Sequence, residues 1–552
     1  MGSLLELYNV WEIQLLVLLS FILQVFLFFT GRLRQGSTNG LLRGSIWLAY
    51  LGADMVAIYA LGYLSRHQDN DTMEAHPLVF FWPPFLLIHL GGQDTITAFS
   101  MEDNKLWLRH LLNLVLEVSL ALYVFWKSTS LHNNVQLLVP SLFLFLSGII
   151  KYGERTMALM YGSQKDDRNL GFKLNDQERI LQLVNNDVYQ ELVYYALVSH
   201  QTIQREYFRR SNAAYNIGEP PRNLYPFILD YGLLDKLLDA QLSLLYNDIY
   251  TKATLLRTKN GILVRFISQL STVVALVIFA VMGTKKQAAS RLYGKADIVI
   301  TYILFIGGIL LEICAVFTFL MASPWTWLWL EDRRYCRLAR ISLSLVRVPV
   351  RRPLWSGKIG QYSCLNYMGI KDESCSYIVM ILMRKTATAI GVEDVRKKLF
   401  WVSKRLDCKY ETVDNMLMEC VMREIGTIEL PVFVQPQQWP HMMPFLQYLR
   451  FKFVEQFPLA VCHLHIITEV ILASTSADHM KSYSADAIEA AQMCRKLSNY
   501  MMYLITAHPD FANVLQITSA FSFELTLEKV FTADTTTTSS RKKNKDEILR
   551  ET

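Results

Sequence analysis

Cysteine is absent before Cys314. The eight cysteines are Cys314, Cys336, Cys364, Cys375, Cys408, Cys420, Cys462 and Cys494, all within or beyond the last long apolar block. None forms a C-x-x-C pair and no zinc-finger spacing occurs, which excludes a dense disulfide framework or a finger. Free thiols point to a reducing compartment, hence a cytosolic C-terminal region. Catalytic signatures are missing too. There is no G-x-S-x-G, H-E-x-x-H, phosphate loop, dinucleotide fingerprint or kinase set. An enzyme is therefore not expected, and no cofactor or metal is implied. A strong excess of one charge is also lacking. Lys and Arg number 55 against 49 Asp and Glu, a net charge of +6. The basic residues form no stripe interleaved with aromatics, which argues against a nucleic-acid partner.

What the chain does contain is apolar length. Hydrophobic residues make up 52% of 552 residues, and mean hydropathy is +0.21. The apolar residues concentrate in blocks before about Trp329; beyond it, charges recur every few residues. A bilayer core about 30 Å thick needs about 20 mostly apolar helical residues. Such blocks read as helices, because every backbone polar group must be satisfied inside that layer.

Seven blocks qualify: Ile13–Thr30, Ser45–Ser65, His76–Gly92, Trp107–Trp126, Val135–Ile150, Ile262–Gly283 and Ile298 to about Ala322. The third is short and holds Pro83 and Pro84, so it reads as a kinked span or a re-entrant segment. Only Glu6 and Glu12 carry charge ahead of the first block, whereas a cleavable signal would be basic there, so that block reads as an uncleaved span. Pro324, Trp325, Trp327 and Trp329 form an aromatic exit band after the seventh.

Flanking charge predicts orientation. Arg32, Arg34 and Arg43 follow the first block. Arg333, Arg334, Arg337, Arg340, Arg347, Arg351 and Arg352 follow the last. With basic flanks in the cytosol, the N-terminus lies outside and the C-terminus inside. The loop with Lys285, Lys286, Arg291 and Lys295 runs against this trend. Asn70-Asp71-Thr72 is a glycosylation tripeptide on the predicted outer side, of a kind common by chance.

The segments between and after the blocks are mostly helical in pattern. Leu174–Arg210 carries Ile180, Leu181, Val184, Val188 and Leu192 at helical spacing, and Tyr225–Lys252 reads as a second helix. Gly218, Pro220 and Pro221 mark the loop between them. Val392–Val421, Gln447–Ser474 with a break at Pro458, and Ala485–Ala507 read as further helices. Leu430–Val434 reads as a short strand or extended linker, and Thr532–Thr552 as a disordered tail. The expected partition is five spans in 1–153, a cytosolic insertion in 154–260, two spans in 261–330, a cytosolic domain in 331–531 and the tail in 532–552.

Chemistry has few places to reside. Asp54, His89, Glu117 and Glu312 are ionisable groups inside blocks. There a charge is expensive and faces the bundle interior, as an ion path or as an interhelical bond. Gly91-Gly92-Gln93-Asp94-Thr95 permits a tight turn or close backbone approach, with Asp94 or Thr95 capping a following helix. Asp94, Glu102, Asp103, Glu154 and Arg155 all lie near predicted cytosolic span ends, where they can converge on a pocket or lock helix ends as ion pairs. Cys462, His463, His465 and Glu469 cluster in sequence. His465 and Glu469 share a helix face at a ligand spacing, but the ligand set is incomplete, so a buried hydrogen-bonded histidine is the plainer reading.

Two strings carry a resemblance. Gly91-Gly-Gln-Asp-Thr-Ile-Thr-Ala-Phe-Ser-Met-Glu-Asp-Asn-Lys-Leu-Trp-Leu-Arg-His110 and Lys151-Tyr-Gly-Glu-Arg-Thr-Met-Ala-Leu159 resemble signatures of the domain-of-unknown-function 4220 proteins, a plant family of integral membrane proteins. His465-Ile-Ile-Thr-Glu469 and Leu497-Ser-Asn-Tyr-Met-Met-Tyr-Leu504 resemble a domain of unknown function 594, often joined to it. The resemblance spans about residues 10 to 510 and implies no reaction and no catalytic residue. Related chains continue past the last string. This one diverges after about Asp510, which implies a shortened C-terminal domain.

The expectation is an all-α protein, a polytopic bundle of about seven spans with a mostly helical cytosolic domain. Its partners are the lipid bilayer and cytosolic proteins, and its role is that of a scaffold or signalling adaptor. A transporter or channel using Asp54, Glu117 and Glu312 is the alternative.

Overall fold

The computed structural model describes residues 2–66, 78–132, 135–163, 177–184, 187–208, 231–285, 294–322, 325–346, 357–363, 407–414, 416–421, 457–474 and 484–507. They form two compact units, one of residues 1–206 and 221–356, the other of 207–220 and 357–552.

The first unit is entirely helical among the described residues. Its helices are α1 (Gly2–Thr30), α2 (Leu33–Gly36), α3 (Gly40–Arg66), α4 (Pro83–Leu90), α5 (Met101–Lys105), α6 (Trp107–His132) and α7 (Val135–Ser163). Then come α8 (Gln177–Val184), α9 (Val188–Phe208), α10 (Tyr231–Tyr250), α11 (Ala253–Leu256), α12 (Lys259–Lys285), α13 (Lys295–Ala322), α14 (Thr326–Asp332) and α15 (Cys336–Val346). Six stretches among the described residues are long and apolar enough to cross a membrane: Trp11–Thr30, Gly40–Arg66, Trp107–Lys127, Leu137–Ser163, Lys259–Met282 and Lys295–Phe319. Their outward side chains are apolar: Leu112, Phe266 and Ile313 are all exposed. In water such a surface would be an aggregation hazard; in lipid it is the expected one.

Among the described residues six helices, not the expected seven, have the length and apolarity to cross a membrane. The His76–Gly92 block is a 3₁₀ turn at Val79–Phe81 followed by the eight-residue α4. The two prolines do not kink it. They occupy its first positions, where the missing N–H has no helical partner to lose. All of α4 except Ile88 is buried, so it needs no membrane-matched length.

Contacts give each passage a direction. Gln14, early in the apolar stretch Trp11–Thr30 of α1, donates to Asp297 at the start of α13, Tyr59 late in α3 donates to Glu12, and Phe125 late in α6 meets Phe145 in the first half of α7. These mark one end of the bundle. At the other end, Tyr50 early in α3 donates to the carbonyl of Thr97, Thr97 N–H donates to that of Tyr250, and Arg32 donates to that of Thr318 late in α13. The chain leaves α3 at the first end and enters α6 at the second. The short α4 carries it between them, parallel to α7, with Leu87 beside Gly148 and Gly91 beside Lys151. Trp82, Phe81, Phe85, Phe279 and Phe305 pack at the heart of this core.

The insertion packs as helices on the second end. Within the predicted Leu174–Arg210 the described residues form two helices, α8 and α9, and the second predicted helix is α10. Ile180, Val184, Val193, Leu197 and Leu244 bury Trp325, Trp327 and Leu328. Trp325 and Trp327 are therefore core residues, and among the described residues of the expected exit band only Trp329 is partly exposed.

The second unit contains α16 (Phe457–Ser474), α17 (Ala485–Ala507) and a two-stranded antiparallel ribbon, β1 (Lys358–Gln361) with β2 (Lys409–Thr412). β2 corrects the helix expected across Val392–Val421: Tyr410 there pairs with Gly360, and the alternation of Lys409-Tyr-Glu-Thr suits a strand. Pro458 does not break α16 but sits in its first described turn, where a proline is tolerated. Tyr362, Val461, Cys462, Ile466, Met502 and Tyr503 form the core. Asn70, Leu430–Val434 and Thr532–Thr552 lie outside the described residues.

Candidate functional site

Six charged side chains meet between α7, α12, α13 and the segment after α4. Arg265 is the hub. Its two terminal nitrogens reach Asp94 at 3.0 and 2.6 Å, Glu154 at 2.8 Å and Glu312 at 2.7 Å. Lys151 pairs with Glu312 as well. Lys252, between α10 and α11, lies 3.6 Å from Glu154 and 3.8 Å from Asp94. Three carboxylates face three cations, so the cluster is formally neutral. Burial pushes the Lys252 ammonium below its ordinary pKa, and Glu154 and Asp94 offset that only in part.

A second pair lies beside it. Arg155 donates to both oxygens of Asp54 at 2.6 and 2.9 Å and to the carbonyl of Leu90 at 2.9 Å. Its guanidinium also stands 5.5 Å from the centre of the Tyr50 ring. Glu117 shares a hydrogen bond with Tyr152. The three carboxyls proposed for an ion path thus have different bonding partners, although Glu117 lies within electrostatic reach of Asp54 and Arg155.

A polar seam borders the cluster. Ser20 is 2.9 Å from His89 Nδ1, Gln24 donates to the carbonyl of His89, and Gln93 donates to Gln24. Ser147 contacts Ser268 and Thr272, both at 2.9 Å. A cavity of about 30 Å³ opens between these groups, Lys151 and Glu312. At about 10–15 Å³ per water that is room for two or three waters, far short of an organic substrate.

The glycine-rich string is built for close approach. A Cβ on Gly91 would lie 2.8 Å from the backbone of Lys151, and Gly92 has φ +63°. Asp94 and Thr95 do not cap a helix. Asp94 binds Arg265, and Thr95 donates to the carbonyl of Leu27. The N-cap of α5 is instead Ser100, in a capping box with Asp103, whose carboxylate accepts from the N–H groups of Phe99 and Ser100. Glu102 forms an exposed pair with Lys105. Of the expected pocket set, only Asp94 and Glu154 converge.

Sequence reasoning missed Arg265 and Lys252. Arg265 carried a signal, a cation seven residues into a long apolar helix. Lys252 carried none, since it arrives from the insertion. In the second unit, His465 lies between Ser363 and Ser498, at 3.2 and 2.9 Å, and Glu469 pairs with Arg495. His465 and Glu469 thus have separate partners. Among the described residues no group of His, Cys, Asp and Glu has the makings of a metal site.

A family described as Domain of unknown function (DUF4220) matches residues 47–222 and 233–367. No curated protein and no solved structure matches the chain. The matched ranges include Asp54, Asp94, Lys151, Glu154, Arg155, Lys252, Arg265 and Glu312.

Proposed function

We propose that this chain, which belongs to the DUF4220 family, is a multi-pass membrane scaffold or adaptor whose helices outside the bilayer present a surface to other proteins. The observation that carries the reading is the closed, charge-balanced core. Its three cations face three carboxylates, leaving no net charge to attract an ion, and the cavity beside it has room for only two or three waters. The same cluster reaches out of the bundle through Lys252, so it fixes the α10–α11 segment to the membrane core. A rigid junction of that kind suits a platform. Leu183, Val188 and Leu242 on the insertion are exposed and available for contact.

On this reading the N-terminus is outside and the C-terminal region cytosolic, the protein is of plant origin, and its C-terminal part is related to domain of unknown function 594. Basic flanks and the quoted strings support these points. The test has two arms. Full-length protein crosslinked in native membranes is expected to return the same partner across independent preparations; no reproducible partner sinks the idea. Reconstituted vesicles are expected to show no proton or monovalent-cation flux above protein-free vesicles. A flux that Glu312→Gln abolishes would instead establish the transporter.

A further inference from the structure

We infer that α15 lies along the membrane surface and binds anionic lipid headgroups. This rests on the reading of the bundle as bilayer-crossing. α15 has three faces. Ala339 and Ser342 are buried, and Leu343 packs on the cluster around Trp325 and Trp327. Arg337 and Arg340, one turn apart, form an exposed basic face; neither makes an ion pair among the described residues. Leu338 and Ile341, also one turn apart, form an apolar face and are 50% and 55% exposed, with Tyr335 just before them at 58%.

A helix facing only water has no use for such an apolar stripe, and one packed in protein would cover it. A helix in the interfacial plane uses both faces, the apolar one toward the acyl boundary and the basic one among the headgroups. Position agrees. α15 follows the last crossing helix and packs back against α13 through the α14 turn. Arg333 stands 5.5 Å over the Trp329 ring, and Arg32 at the same end donates to Thr318. Arg32, Arg333, Arg337 and Arg340 on this rim carry guanidiniums, which take phosphate oxygens bidentately. The sequence continues with Arg347, Arg351 and Arg352, of the same sign. Two or three exposed apolar side chains are too few for a stable protein interface, whereas a bilayer covers them without one.

The test uses full-length protein in mixed micelles of phosphatidylcholine and phosphatidylserine, with retained lipid counted by native mass spectrometry. Wild type is expected to retain phosphatidylserine preferentially. The double variant Arg337→Gln/Arg340→Gln is expected to lose about fivefold in that preference per arginine removed. Arg337→Lys/Arg340→Lys, which keeps the charge, is expected to keep most of it. Equal retention of both lipids by wild type overturns the inference. So does an unchanged preference in the glutamine variant. Should that variant not fold, salt decides: the wild-type preference must fall as ionic strength rises, and a salt-independent preference refutes headgroup binding. Alkaline carbonate extraction separates the underlying reading. Release of wild type from membranes defeats both ideas, while retention with equal lipid binding defeats only this one.

Discussion

Arg155 shows how a buried charge is held here. Its side chain is 4% exposed and bonds Asp54 twice. Deleting one member of such a pair strands the other, at a cost of about 3–5 kcal/mol. Arg155→Met is therefore expected to lower the unfolding midpoint in detergent sharply. Adding Asp54→Asn should recover part of the loss, and a double variant no better than the single one would show that the pair is not the cause. Asp248 gives a pH signature. It is 2.7 Å from His200 and 2.6 Å from Arg257. Burial alone would raise its pKa, but Arg257 and His200 outweigh burial and hold it below the ordinary value of 3.8. A carboxyl with a depressed folded pKa contributes stability that is present above the unfolded value and lost as pH falls through the folded one. Asp248→Asn is thus expected to be less stable at neutral pH and to lose less stability on acidification below about pH 4. Thermal melts across that range check this, and an unaltered acid limb would count against it.

At the scale of elements, the question is how an eight-residue helix survives at the centre of a bundle. α4 has no length to match a bilayer, so α3, α6 and α7 must cover it. Gly148 on α7 permits a close approach: a Cβ there would lie 2.9 Å from that of Leu87 and 3.2 Å from the carbonyl oxygen of Pro84. Gly148→Val is expected to unseat α4 and cost about 1–3 kcal/mol, as overpacking does. Phe85→Ala should cost about 3–5 kcal/mol through the cavity it leaves among Phe81 and Phe305. Midpoints in detergent measure both. Loss of the α4 seat should exceed the cost of Leu112→Ala on the exposed face of α6, and equal effects would contradict this packing.

For the whole molecule, direction is the testable quantity. Six long helices and the α4 segment alternate between the two ends, so the described part of α1 begins at one end and α13 finishes at the other. Tags on the two termini are expected on opposite faces of sealed vesicles in a protease-protection assay. Tags protected together would mean that the α4 segment does not complete a crossing.

Much of the architecture was legible in the chain itself. Apolar runs with charged ends specify helices long and apolar enough to cross a bilayer, where hydrocarbon admits no unsatisfied backbone; this follows from local composition and needs no partner. The buried ionisable residues were legible as expensive, and the glycine pair at Gly91 as a close approach. Three things were decided only by tertiary structure. Pro83-Pro84 begin a short helix, since its burial on nearly every side removes the need for length. Asp54, Glu117 and Glu312 share no bonding partner, because Arg155, Tyr152 and Lys151 with Arg265 reach them from other helices. Lys252 joins the core although nothing near it in sequence suggests so. Pairing across such separations depends on where chain segments meet, and a charge shows in sequence only its cost, never the partner that offsets it.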